Sequence, residues 1–124
     1  MASISASKAS TPPTAQTAAV IGGHHTEITR VKYADSEFWI VTQVGKIGNV
    51  VRCAKQIGVT GKETIITETL FGQRDNQMCN LFARVMAERI ITSTLKPVTL
   101  GFALLTSSTE ELKDIVTLAT TLLA

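Results

Sequence analysis

The order in which the sequence periodicity changes constrains the fold of this 124-residue chain more than any other feature. Five segments rich in Val, Ile, Thr and aromatic residues come first, and turn-forming residues separate them at intervals of about ten residues. These β-patterned segments are residues 18–21, 26–33, 37–44, 49–53 and 63–71. Because all five precede the first helical pattern, the sequence predicts an α+β fold with an antiparallel meander and argues against alternating βαβ units.

The periodicity then becomes helical. Apolar residues recur every three or four positions over residues 76–92, and Asp75 is a suitable N-cap for this helix. Pro97 ends the helix, and residues 98–104 alternate bulky with small side chains, which predicts a strand with its bulky side buried. A second helix with one apolar stripe follows over residues 108–123. The residues alone therefore predict five strands, a helix, a sixth strand and a final helix.

Four consecutive large apolar residues, from Phe38 to Val41, place a special demand on the third strand. Successive side chains of a strand point to opposite faces of the sheet, so this strand carries apolar side chains on both faces. Two helices can cover only one face, and the other face is then a candidate partner surface. We expect Trp39 to anchor the partner, because tryptophan is enriched among the residues that dominate interfaces, with Phe38 and Ile40 as alternates.

The first seventeen residues are rich in Ser, Ala and Thr, include Pro12 and Pro13, and contain no acidic residue. This composition is typical of a disordered tail or of an organelle transit peptide. We favour the tail, because the segment lacks arginine and leads almost directly into β-patterned sequence. We therefore expect a disordered tail over residues 1–17 and one domain over residues 18–124.

Charge and cysteine content limit the classes of partner and compartment. The formal net charge is +2, which is too small an excess to predict binding to nucleic acid or to an anionic membrane. No apolar run approaches the ~20 residues that a membrane span requires. Cys53 and Cys79 are too few for a secreted disulfide framework, and we expect both to be reduced thiols. Reduced thiols predict a cytoplasmic protein, and we expect the nucleus as a second compartment. We expect neither nucleic acid nor a membrane as a partner.

No pattern in the sequence indicates catalysis or metal binding. His24 and His25 are adjacent, so on a strand they face opposite ways and cannot easily share one metal. The spacings of known zinc sites and the Gly-x-Ser-x-Gly nucleophile elbow are absent from the sequence. We therefore expect a protein that is not an enzyme and uses no metal or cofactor. The alternative is a small enzyme whose site forms only in three dimensions, around a strongly perturbed titratable group.

The segment Gly45-Lys46-Ile47-Gly48 has the Gly-x-x-Gly form of the RNA-clamping loop of KH domains, which lies between two helices. Here both flanks are β-patterned, so we favour a tight hairpin whose glycines adopt positive φ. The segment also lacks the length and the Lys-Ser/Thr ending of a P-loop. A small RNA-binding module that uses Lys46 in this loop is the alternative function.

The string from Val41 to Gly48 is similar to one in the proteasome assembly chaperone 3 family, where a β run ends in Thr-Gln, an apolar residue and Gly-Lys-apolar-Gly. A second match is Leu70-Phe71-Gly72-Gln73, and Leu81-Phe82-Ala83 follows it inside the first helix. The family motif residues at these two places are Thr42, Gln43, Gly45, Lys46, Gly48, Gly72 and Gln73. The resemblance covers residues 18–123 and leaves out the Ser/Thr/Pro-rich tail.

This resemblance implies an α+β fold in which an antiparallel sheet of about six strands carries two helices on one face. It also implies a non-enzymatic chaperone that pairs through its sheet with a similarly folded protein, proteasome assembly chaperone 4. The pair is expected to promote assembly of the proteasome alpha ring by holding an alpha-type subunit, without ATP or metal. We further expect the isolated chain to form a homodimer through the helix-free face of its sheet, for which the natural partner would compete.

Overall fold

The computed structural model of the protein describes residues 13–45, 47–72, 77–105 and 108–123. Its elements in chain order are β1 (Thr14–Ile21), β2 (His24–Lys32), β3 (Glu37–Thr42), β4 (Asn49–Ile57), β5 (Glu63–Phe71), α1 (Gln77–Thr94), β6 (Val98–Ala103), α2 (Thr109–Thr120) and a 3-10 turn (Thr121–Leu123). The predicted α+β class and order of elements are confirmed. The expected cap Asp75 lies outside the described residues. Neither helix of the described ranges is long and apolar enough to cross a membrane.

The first strand is longer than the sequence indicated. β1 begins at Thr14, whereas the sequence predicted its start at Ala18 and placed residues 14–17 in the tail. Those residues pair with β2, with Thr14 opposite Val31 and Gln16 opposite Thr29. Their Thr, Ala and Gln side chains give only a weak local β signal, so their extended conformation depends on the neighbouring strand. Residues 1–12 of the expected tail lie outside the described residues.

The six strands form one sheet in the order β1-β2-β3-β6-β4-β5. The sheet is mostly antiparallel, as predicted, but β3 and β6 run parallel. The predicted meander and the predicted tight hairpin at Gly45–Gly48 are wrong, because β6 lies between β3 and β4. The connection from β3 to β4 therefore crosses two strand spacings, about 10 Å, instead of one. In this central place the bulky side of β6 is fully buried, with Val98, Leu100 and Phe102 each 1% exposed or less.

Both helices pack on the same face of the sheet. α1 contacts β4, β5 and β6, and α2 contacts β1 and α1. The ring of Phe82 on α1 meets that of Phe102 on β6 edge to face, with centroids 5.2 Å apart and an interplanar angle of 65°. The largest fully buried side chains of this core are Trp39, Phe82, Phe102, Ile28, Met86, Ile90, Leu100 and Ile115. The core thus lies in a single layer between the sheet and the helices.

A buried ion pair connects this covered face to the end of the chain. Arg30 on β2 donates a hydrogen bond from Nε to Glu37 Oε1 over 2.6 Å, and from Nη1 to the carbonyl oxygen of Leu122 over 2.5 Å. The indole N–H of Trp39 donates to the same Glu37 oxygen over 3.1 Å. Lys96 Nζ lies 3.8 Å from Glu37 Oε2. One carboxylate therefore joins β2, β3 and the segment before β6, and its arginine partner holds the 3-10 turn.

Candidate functional site

The sheet surface opposite the helices is the candidate site, and we call it the helix-free face. It consists of the strand residues that alternate with those of the core, and their pairing brings them into rows across the sheet. The row through the middle is Gln16, Thr29, Ile40, Gly101, Val50 and Phe71. The next row is Thr14, Val31, Phe38, Thr99, Arg52 and Glu68. Each row runs from one edge strand of the sheet to the other.

The centre of the helix-free face is apolar. Phe38, Ile40 and Val50 are only half-buried although they lie on central strands, because neither helix covers them. Towards β5 the apolar surface is more open: Phe71 is 62% exposed and Ile66 is 47% exposed. An apolar centre with aromatic side chains is typical of the buried core of a protein–protein interface.

Charged residues lie around this apolar centre. On one side, Arg52 and Glu68 are directly opposite each other on neighbouring strands. On the other side, Nε2 of His25 and Oε1 of Glu27 are 3.1 Å apart, and both side chains are exposed. Polar and charged side chains at the border of an apolar patch can stay hydrated when the centre is covered, which is the usual anatomy of an interface rim.

The connection from β3 to β4 adds Ile47 to the helix-free face. A Cβ atom on Gly101 would lie 3.2 Å from Cδ1 and 3.3 Å from Cγ2 of Ile47, so Ile47 fills the space that a side chain on β6 would occupy. The loop crosses β6 at the one strand position that leaves room for it. Sequence reasoning missed this pair, although a glycine in the middle of a strand is a known signal of a close approach.

The expectation that Trp39 anchors a partner is wrong. Trp39 is fully buried and faces the helices, where Glu37 accepts its indole N–H and the guanidinium of Arg30 lies 5.5 Å from its ring centre. Glu37, two residues before Trp39, provides the hydrogen-bond acceptor that a buried indole N–H requires. The odd-numbered positions of β3 therefore lie in the core. The two alternates, Phe38 and Ile40, lie on the helix-free face.

The family motif residues Thr42 and Gln43 organise the end of β3. Thr42 Oγ1 accepts a hydrogen bond from the N–H of Val44 over 3.2 Å. The side chain of Gln43 donates to Thr26 Oγ1 over 3.0 Å and accepts from the N–H of Leu105 over 2.7 Å. Gln43 therefore connects β2 with the chain that leaves β6, which explains its place in the motif by structure instead of by ligand binding.

The glycines of the two motif strings come together at the same end of the sheet. Gly45 and Gly72 have φ of +75° and +106°, a region that favours glycine. A Cβ atom on Gly72 would lie 2.8 Å from the carbonyl oxygen of Gly48, whose own N–H donates to Phe102 O over 3.1 Å. Two strings far apart in sequence thus support one crossing of the chain. The remaining motif residues, Lys46 and Gln73, lie outside the described residues.

The surroundings of the Gly45–Gly48 loop differ from those of a KH loop. Strands β3 and β4 flank it, whereas the RNA-clamping loop of KH domains lies between two helices. The loop's side chain Ile47 lies against the sheet. These contacts favour a structural connection over a phosphate clamp.

The cysteines lack the features of catalytic nucleophiles. Both are free thiols, and burial raises the pKa of Cys53 from 9.0 to about 11 and also raises the pKa of Cys79. A raised pKa disfavours the thiolate, which is the reactive form. Across the described ranges, no group of three or more His, Cys, Asp and Glu residues is arranged to hold a metal ion.

Comparisons with known proteins agree with the earlier resemblance. The family model described as Proteasome assembly chaperone 3 matches residues 39–121, from β3 to the 3-10 turn. Comparison with curated protein sequences gives no match. Among solved structures, the chain is similar in fold to one in the "Crystal Structure of a Novel Chaperone Complex for Yeast 20S Proteasome Assembly", with a TM-score of 0.75 and 8% sequence identity over 90% of this chain and 99% of that chain. Because the family model covers more than half of its residues, the chain belongs to the proteasome assembly chaperone 3 family.

Proposed function

We propose that this protein is a proteasome assembly chaperone that pairs with a similarly folded, chaperone 4-like protein. The pair promotes assembly of the core-particle alpha ring by holding an alpha-type subunit, without catalysis. The observation that carries the proposal is the apolar helix-free face, in a chain that belongs to the proteasome assembly chaperone 3 family. The similarly folded yeast protein comes from a chaperone complex for 20S proteasome assembly, which supports the same role.

The physical reason for pairing is the uncovered apolar surface. A standard interface buries about 800 Å² per partner, and burial of apolar surface contributes roughly 25 cal/mol per Å². The half-buried Phe38 and Ile40, together with Ile47 and the exposed Phe71, supply the apolar area. Ordering two chains offsets part of this gain. The facing pair Arg52 and Glu68 gives the interface a polar border that favours one relative orientation.

The same surface predicts self-association when the natural partner is absent. The isolated chain forms a homodimer through the helix-free face, and the chaperone 4-like partner competes for it. Two free thiols suit a reducing compartment, so we place this activity in the cytoplasm and also in the nucleus.

Two substitutions on the helix-free face test the pairing. Ile40→Glu and Phe38→Glu each place an unpaired carboxylate in the proposed interface, at a cost of about 3–5 kcal/mol. The matched control is Val59→Glu, which adds the same charge at a fully exposed valine in the turn between β4 and β5. Light scattering over a dilution series should show a dimer for wild type and Val59→Glu, and monomers for the other two. Circular dichroism checks that all variants are folded.

The partner and the alpha-type subunit are tested by co-expression. A tagged chain co-expressed with a chaperone 4-like protein should recover that protein, and Ile40→Glu should recover much less of it than Val59→Glu does. The recovered pair, mixed with purified alpha-type subunits, should retain at least one of them. Two results together would overturn the pairing proposal. Wild type would stay monomeric at high concentration, and Ile40→Glu would recover as much of the chaperone 4-like protein as wild type does. A pair that retains no alpha-type subunit would overturn the second step alone.

A further inference from the structure

We propose that the groove between α1 and α2 is a second docking surface, which binds an amphipathic helix of a partner protein through an apolar stripe flanked by carboxylates. The groove has a volume of about 390 Å³ and lies among the side chains of the two helices. Its floor is formed by the buried residues Phe82, Leu112 and Val116. The helices lie on the other side of the sheet from the helix-free face, so this groove stays open when that face is covered.

The walls of the groove are apolar and partly exposed. Leu81 is 45% exposed and lies beside the buried Phe82 in the lining of the groove. Val85, one turn further along α1, is half-buried and continues the same wall. A water-exposed apolar floor and wall are stabilised by any ligand that covers them with apolar surface.

The rim of the groove is positively charged. Arg89 on α1 and Lys113 on α2 both line it, and none of its described lining residues is acidic. In the described part of the chain, neither Arg89 nor Lys113 forms an ion pair. A ligand with carboxylates on both sides of its apolar stripe would therefore be attracted from both helices, whereas one with lysines would be repelled.

The dimensions indicate a helical ligand. The lining residues extend from Leu81 to Arg89 on α1 and from Thr109 to Thr117 on α2, and each stretch is about 12 Å long at 1.5 Å per residue. Two turns of a bound helix, with apolar anchors at positions i, i+4 and i+7, match that length. The groove is lined by helix side chains and offers no strand edge, so an extended peptide would leave its backbone N–H groups without partners, whereas a helix pairs them internally.

The test uses a synthetic, fluorescein-labelled peptide of about 15 residues, long enough to form some helix. Its sequence combines alanine with leucines at helical spacing and glutamates on both sides of the leucine stripe. The control peptide has lysine in place of every glutamate. Fluorescence anisotropy gives the affinities, and nuclear magnetic resonance spectra of the ¹⁵N-labelled protein identify the residues that the peptide contacts.

The double variant Arg89→Glu/Lys113→Glu tests the charge argument. Its control, Arg84→Glu, reverses one positive charge on α1 outside the groove. Wild type should bind the glutamate peptide about tenfold more tightly than the lysine peptide, and the double variant should reverse this order. Arg84→Glu should change the affinity by less than about twofold. Leu81→Glu should weaken the binding of the glutamate peptide, and amide shifts should concentrate in α1 and α2.

Four results would overturn the proposal. The first is equal affinity of wild type for both peptides, and the second is an unchanged preference in the double variant. The third is a set of amide shifts on the helix-free face that Ile40→Glu removes. The fourth is a double variant that stays monomeric in light scattering where wild type is a dimer, because the groove would then belong to self-association. Unfolding curves of each variant confirm that changes in affinity do not come from loss of structure.

Discussion

Replacing Arg30 by methionine should strongly reduce the stability of the domain, although methionine is a long side chain of similar volume. Arg30 is 6% exposed and Glu37 is 1% exposed, so both charges of this pair are removed from water. Arg30 supplies the shortest contact of the carboxylate, at 2.6 Å. Without it, the partners that Glu37 retains among the described residues are the indole N–H of Trp39 and the amino group of Lys96, which is 3.8 Å away and partly exposed.

The expected size of the effect follows from this geometry. Removing one partner of a buried ion pair leaves an uncompensated charge and typically costs about 3–5 kcal/mol. Loss of the bond from Arg30 to the carbonyl oxygen of Leu122 adds about 1 kcal/mol and frees the 3-10 turn. In the double variant Arg30→Met/Glu37→Gln, the buried charge is gone and the amide oxygen still accepts from Trp39. Its loss of stability should be smaller than the sum of the single losses by about 2–3 kcal/mol.

Urea unfolding followed by circular dichroism measures these differences. All variants are compared at one protein concentration, because self-association would stabilise the folded state. Arg84→Met is the matched control, since Arg84 is exposed on α1 and its replacement should change stability by less than about 0.5 kcal/mol. A loss below about 1 kcal/mol for Arg30→Met, or single losses that simply add in the double variant, would refute the reasoning.

Two further predictions concern the core. Phe102→Ala should cost about 3–5 kcal/mol, because the ring is 1% exposed and packs edge to face on Phe82; a loss under about 1 kcal/mol in denaturant unfolding would contradict this. Burial raises the pKa of the Cys53 thiol from 9.0 to about 11, so the folded state holds the thiol proton more tightly than the unfolded state does. The resulting stability is complete below pH 9 and is lost as the pH rises through 11, and the decline should be smaller in Cys53→Ala. Identical pH profiles of unfolding free energy for wild type and Cys53→Ala would show that this thiol contributes nothing.

Side-chain periodicity along the chain was enough to predict the class of fold and the order of its elements. Side-chain periodicity is a local property, and it distinguishes strand from helix wherever one face is buried, as at residues 98–104 and along the two helices. The same alternation predicted a strand with one buried side, and the structure places Leu100 and Phe102 on that side. The family resemblance was carried by short strings of residues that are recognisable in the sequence without knowledge of their contacts. The family model confirms that resemblance.

Contacts between residues distant in sequence determine which strands are neighbours and which side of each strand meets the helices. Periodicity records the alternation of a strand but not its partner, so nothing local indicated that β6 inserts between β3 and β4. The sequence also did not show which side of β3 faces the core, because both sides carry large apolar residues: Phe38 and Ile40 on one, Trp39 and Val41 on the other. Contacts with distant residues determine which side of β3 faces the core. The buried carboxylate of Glu37 pairs with Arg30 and accepts the indole N–H of Trp39, so the side of the strand that carries Glu37 and Trp39 lies in the core. The helix-free face is therefore formed by the residues that this choice leaves outside.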